Sequence, residues 1–482
     1  MAYMTRIAAP RDGRAVLVYL PLVLTGLLAG GHVAVADSSG VYSVRDYGAV
    51  GDGKAADTAA INKAIEACAA AGGGQVRLPP GTYLSGTVHL KSNVTLWLDA
   101  GSRLVGSTNL EHYQHFTAPA GTPEAGSPKW HRALVLGVGV ENLAIAGKGV
   151  IDGNKVFDPH GEEKMRGPHT IILGNCRDVQ IRDVTIRDSA NYAILIEFSD
   201  RVDVRQVKVT GGWDGVHFRG WSDRPCRDLT IVGCQFFTGD DSIAGRYVEN
   251  LLVADCVINS SCNGLRIIGP MKHMVVNNCL FYGPGVHPHR TQDRHNMLSG
   301  IILQPGGWDA CEGPLEDVLI SDVTMKNVAS PVTIHLRRPG NTADGITVTR
   351  LTATGVYRAA ASVEAWAGTP VGRVVFRDVS IEYAGGGKKP EEGLEVRKPG
   401  LDARGLSAWG FYAHNVRDLR FEDVRLSCAK DDLRPVLIGE GVERLTLDNF
   451  RFPRVTGAAD PLVLKDVGRI EYGREAAPPR PR

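Results

Sequence analysis

The chain has 482 residues, 43% hydrophobic and 22% charged, with a formal net charge of +1 and both signs interspersed. That composition supports a sizeable core and excludes the basic stripe of a nucleic-acid binder and the acidic tail of a solvating segment. Glycine is abundant at 57 residues and helical periodicity fades after about residue 75, so the chain reads as all-β and rich in turns.

In chain order, residues 1–36 read as a signal peptide. Arg6, Arg11 and Arg14 precede the apolar run Ala15 to Ala29, and Ala34-Val35-Ala36 supplies an A-x-A cleavage pattern. The run is short for a membrane span. The expectation is a secreted or periplasmic protein, free of the membrane after cleavage, with a single domain over residues 37–473. The stretch DGKAADTAAINKAIEACAAAGGG predicts a helix over about 57–71. Asp57 or Thr58 caps it, and Gly72 to Gly74 stop it. Ala59, Ile61, Ala64, Ile65 and Cys68 form one apolar stripe. Such a helix suits the lid that an open solenoid end requires.

A repeat follows. VQIRDVTI from Val179, VDVRQVKV from Val202, LTIVGCQF from Leu229 and LLVADCVI from Leu251 share one template, which continues from Met274, Val318, Ile346, Val374, Leu419 and Leu445. Apolar residues stand at positions 1, 3, 6 and 8. Alternation within each half is strand periodicity, and the phase slip at positions 4 and 5 is a turn that points both halves at one interior. The spacings are 23, 27, 22, 23, 44, 28, 28, 45 and 26 residues. Short coils of this kind are the mark of a parallel β-solenoid. The two long gaps are each near two coils, which predicts a degenerate coil in each, with Gly300 to Gly307 as that of the first. Cys234, Cys256 and Cys279 share position 6 of consecutive coils and should stack as buried, inert hydrophobes. The Pro-rich tail, residues 474–482, reads as disordered.

The template also locates chemistry. Asp214, Asp241 and Asn263 each lie 12 residues past the first apolar residue of their coil, and Asp240 adjoins Asp241. Equal offsets in a solenoid stack at roughly 4.8 Å per coil. Stacked carboxylates repel, so one of them holds its proton more tightly. One protonated and one ionised carboxyl is the machinery of glycoside hydrolysis. Spacing alone also fits turn-capping Asp and Asn side chains.

VRDYGAVGDGKAADTAAINKAIEAC from Val44, LPPGTYLSGTVHLKSNVTLWLDAGSRL from Leu78, GVIDGN from Gly149 and GDDSIA from Gly239 resemble the family 28 glycoside hydrolases, the polygalacturonase group of pectin-degrading β-helix proteins. The resemblance runs from about Val44 to at least Gly307 and implies a right-handed parallel β-helix. It implies inversion by an aspartate trio, with Asp240 as general acid and Asp214 and Asp241 activating water. The expectation is a polysaccharide or oligosaccharide substrate, no metal or cofactor, and a monomer.

Two departures stand out. Asn263 occupies the family's histidine position in Cys262-Asn263-Gly264, and Ile302 and Gln304 fall where an Arg and a Lys would grip a uronate carboxylate. Further substrate contacts are expected from Asn263, Arg266, His217, Gln304 and Trp213, the last as a stacking surface beside Asp214, with Trp221 and Trp308 as further indoles. The loop Gly283 to Asn296 carries His287, His289, Arg290, Arg294 and His295 without recurring ligand spacing, which favours a sugar-contacting loop over a metal site. Two other readings are a lyase or epimerase on the same fold, and a non-catalytic carbohydrate-binding solenoid.

Overall fold

Each eight-residue segment supplies two half-strands whose inward residues are Val, Ile, Leu, Met, Phe, Ala or Cys, and no segment can bury them alone. Stacking solves this. The computed structural model describes residues 40–122, 125, 128–390 and 398–473, and the named strand pairings among these residues are parallel, as in a right-handed parallel β-helix. The segment read as a signal peptide, residues 1–36, and the tail read as disordered, residues 474–482, lie outside the described residues. The first apolar residues of successive segments pair directly, from Val179 through Val202, Leu229, Leu251 and Met274 to Val318, Ile346, Val374, Leu419 and Leu445.

That register corrects one expectation. Met274 pairs with Val318 and Val374 with Leu419, so neither long gap hides a degenerate coil. Each is one coil enlarged by loops. Gly300 to Leu303 belongs to the strand Ser299–Leu303, which continues the sheet carrying Asn263–Ile267. The apolar run GIIL fills a third strand of the same coil, and periodicity cannot tell that from a new coil.

Position 5 of all ten segments adopts a left-handed backbone, from Asp183 at φ 68° and Gln206 at φ 52° to Asp423 at φ 54° and Asn449 at φ 52°. A single left-handed residue bends the chain between the two half-strands, which explains the prevalence of Asp and Asn there. Inside, Cys234, Cys256 and Cys279 are buried and unbridged as expected. At the N-terminal end, the helix Thr58–Ala70 buries Ile61, Ala64, Ile65 and Cys68. Asp57 precedes it, but its carboxylate accepts from the Val50 and Gly51 amides at 2.6 and 3.1 Å and does not cap the helix.

Candidate functional site

The strands Ile194–Glu197, Val216–Arg219, Ile243–Arg246 and Asn263–Ile267 lie side by side, with Ile194, Val216, Ile243 and Leu265 in register. Two residues before each stand Tyr192, Asp214, Asp241 and Asn263, so these four form one column. Backbone bonds confirm the stacking: Ala193 N donates to Asp214 O at 2.9 Å, Gly215 N to Asp241 O at 3.0 Å, and Ser242 N to Asn263 O at 3.0 Å. The outward column beside it runs His217, Ala244, Arg266, Ile302. The small Ala244 between two large side chains leaves space above the sheet. A cavity of about 360 Å³ opens there, lined by Asp214, Asp240, Asp241, His217 and Arg266 among others. Loops wall it, with Glu162 to Arg166 on one side and His289 to Arg294 with Trp308 on the other.

Each carboxylate has its own partners. Asp214 is buried and bonds His217 Nδ1 at 2.7 Å. Burial, together with the charges of Asp240 and Asp241, pushes its proton affinity well above the usual range. The His217 ring stacks on Tyr192 at 4.3 Å, and burial and neighbouring arginines hold the imidazole neutral. Asp240 Oδ2 receives Arg166 Nη2 at 3.2 Å, and His289 Nε2 lies 3.8 Å from Oδ1. Asp241 Oδ1 accepts both the backbone amide and Nδ2 of Asn263, at 3.0 and 2.8 Å, while Arg266 Nη1 lies 3.4 Å from Oδ2.

Asp240, Cys262 and His289 also offer ligand atoms within 4.8 Å of one another, a spacing that could hold a metal ion. The guanidinium groups of Arg166, on Asp240, and of Arg294, 3.4 Å from Cys262 Sγ, place positive charge against any cation there.

The structure thus brings together Asp214, Asp240, Asp241, Asn263, Arg266 and His217. It corrects two expectations. Trp213 is fully buried, and the Arg166 guanidinium covers its ring at 3.7 Å, so it cannot stack on a sugar and instead supports Arg166. Gln304 is also fully buried, accepts at Oε1 from His335 Nε2 at 2.9 Å and does not line the cavity. Trp308, 49% exposed and with the Arg266 guanidinium 5.1 Å from its ring, offers the open indole surface. Sequence reasoning missed Tyr192 and Arg166. Tyr192 shares the aspartate column one coil earlier, but it lies 13 residues past Val179, so an offset of 12 points to Asn191 and passes it by. Arg166 comes from an irregular loop and carries no periodic signal.

A family profile described as "Rhamnogalacturonase A/epimerase, pectate lyase-like" matches residues 41–286. The chain is 28% identical over 255 residues to an exo-poly-alpha-D-galacturonosidase of Dickeya chrysanthemi, covering 42% of this chain and 41% of that protein. It is 36% identical over 324 residues to a polygalacturonase of Ralstonia solanacearum, covering 57% of this chain and 61% of that one. The matches thus span less than two thirds of either relative. Among solved structures, a hyperthermoactive exopolygalacturonase from Thermotoga maritima shares the fold with a TM-score of 0.60 and 20% identity, over 80% of this chain and 91% of that one. With the profile covering more than half of its residues, the chain belongs to the rhamnogalacturonase A/epimerase, pectate lyase-like family of parallel β-helix proteins.

Proposed function

We propose that the protein is a glycoside hydrolase that cleaves a pectin-like polysaccharide or oligosaccharide by inversion. One observation carries the reading: three carboxylates from two consecutive coils line a single cavity, each with a different set of partners. Inversion needs one carboxyl to protonate the departing oxygen while another draws a proton from water on the opposite face of the ring. Asp240 is the general acid, bordered by Arg166 and His289. Asp214, whose burial raises its proton affinity, and Asp241, anchored by Asn263 and Arg266, position and deprotonate the water. Bond breaking at the sugar carbon then passes one proton from Asp240 to the leaving group and one from water to the base. Ala34-Val35-Ala36 supports export, and the protein acts as a monomer in this reading.

Asp240→Asn removes the donated proton. Release of reducing ends from a pectic substrate should fall by roughly 10²–10⁴-fold, with saccharide binding retained. Unchanged release would refute the assignment. Appearance of an unsaturated product absorbing in the ultraviolet would point instead to a lyase.

A further inference from the structure

The family's cations are missing at Ile302 and Gln304, yet the cavity has a basic side. Arg266 stands one rung before Ile302 in the outward column, with Trp308 beside it. Just beyond Trp308 along the sheet lie two more arginines. Arg337 is half-buried, donates through Nη1 to the Gly307 carbonyl at 3.1 Å, and keeps its buried Nε without a partner. Arg338 is exposed. Neither has a carboxylate partner among the described residues, and Arg294 on the cavity wall is bonded to Gln292, Ser261 and Cys262 without one, whereas Arg246, Arg166 and Arg404 do have one. Arg246 pairs with Asp309, Arg166 with Glu163 and Asp240, and Arg404 grips Glu364 through two bonds of 2.9 and 2.7 Å. The half-exposed Asp402 reaches Arg266, at 3.8 Å.

An exposed arginine by itself is a solvated side chain. Arg337 and Arg338 differ because they crowd a partly desolvated spot beside Arg266 and neither is itself paired with an acid, the carboxylates of Asp241 and Asp402 being on Arg266. Burial, Arg338 and Arg266 together push the Arg337 guanidinium below its ordinary proton affinity. Elsewhere on the cavity wall Glu162 and Glu163 stand with Arg166, which pairs with both. A saccharide that extends from the cavity past Trp308 therefore meets Arg337 and Arg338, two cations without a paired acid among the described residues.

We propose that Arg337, Arg338 and Arg266, beside the open face of Trp308, form a carboxylate-binding subsite that takes a uronate unit of the substrate. The guanidinium fork matches a carboxylate, and the indole supports the sugar ring. The cationic grip lies not at Ile302 and Gln304 but on the coils on either side of theirs. The inference rests on the glycosidase reading for its substrate class, but its test is equilibrium binding and needs no turnover.

Binding of trigalacturonate and of its fully methyl-esterified form to the full-length Asp240→Asn protein, by calorimetry, decides the matter. The free acid should bind roughly 10-fold more tightly than the ester and lose that advantage at high salt. The double substitution Arg337→Gln with Arg338→Gln should weaken the acid by about the same factor and leave the ester unchanged. Arg338→Gln alone, at an exposed position, gives a smaller loss of the same kind and guards against misfolding of the double variant. Equal affinity for acid and ester, no binding of either, or equal weakening of both would overturn the subsite. Failure of the hydrolase reading would appear separately, as undiminished reducing-end release by Asp240→Asn.

Discussion

At the scale of single residues, three aspartates of one type are made unequal by their neighbours. Asp241 has both oxygens engaged, by Asn263 and Arg266, and Asp240 faces Arg166 and His289. Asp214 has His217. The charges facing His217 are Arg219, Arg246 and Arg166, with His169 and Tyr192 also packed nearby. Positive groups disfavour a proton on Nε2, which is buried without a partner, so the proton sits on Nδ1 and is donated to Asp214. A hydrogen bond to the charged form of a carboxyl lowers its pKa, so this bond opposes the upward push of burial. The base works when ionised, and activity is lost as pH falls through its pKa. His217→Leu should therefore move the acidic limb of the kcat–pH profile to higher pH and lower kcat by roughly 10-fold or more at neutral pH. His217→Asn keeps a donor at the Nδ1 position and should restore much of both. Identical profiles for the two variants would show that the imidazole only fills space.

At the scale of elements, the left-handed residue at position 5 is the joint of every coil. Its residues include Asp, Asn and Gly, which tolerate that conformation, and also Gln206 and Arg350. Gln206 is exposed, and its backbone amide donates to Val232 O at 3.0 Å, so the turn persists there by coil pairing against local preference. A β-branched side chain would meet the preceding backbone in that conformation. Gln206→Val should cost about 1–2 kcal/mol and Gln206→Gly much less, measured by urea unfolding. Equal effects would mean that the joint is not under conformational selection. The loops inserted into two coils carry the opposite lesson. The segment between Tyr282 and Ser299 brings His289 to the cavity wall, and the coil register is unaffected because both strands that flank it stay paired.

At the scale of the molecule, a parallel β-helix is a stack of nearest-neighbour interfaces, and its ends are exposed edges. The helix Thr58–Ala70 covers one end with Ile61 and Ile65, both fully buried. Ile65→Asp would bury a charge without a partner and should lower stability by roughly 3 kcal/mol or more. Uncovering the edge should also produce concentration-dependent association, visible by light scattering. A monomeric variant of unchanged stability would remove the capping role from this helix.

The sequence alone determined the repeat, the interior and the aspartate column, because each is a consequence of period. Residues at equal offsets must stack once strands pair in register, and apolar alternation sets that register. Tertiary structure decided what period does not encode. The loop carrying Arg166 folds over Trp213 and hides an indole that the neighbouring Asp214 made attractive. Gln304 faces outward on its strand, yet His335 and the surrounding chain bury it. Arg337 becomes a neighbour of Arg266 although 71 positions separate them in the chain. Stacking converts sequence distance into a few ångströms along the helix axis, while irregular loops obey only the packing they meet. The stacking of Asp214, Asp241 and Asn263 can therefore be counted from the sequence, while the one-residue slip that brings in Tyr192, and the exposure of each side chain, cannot.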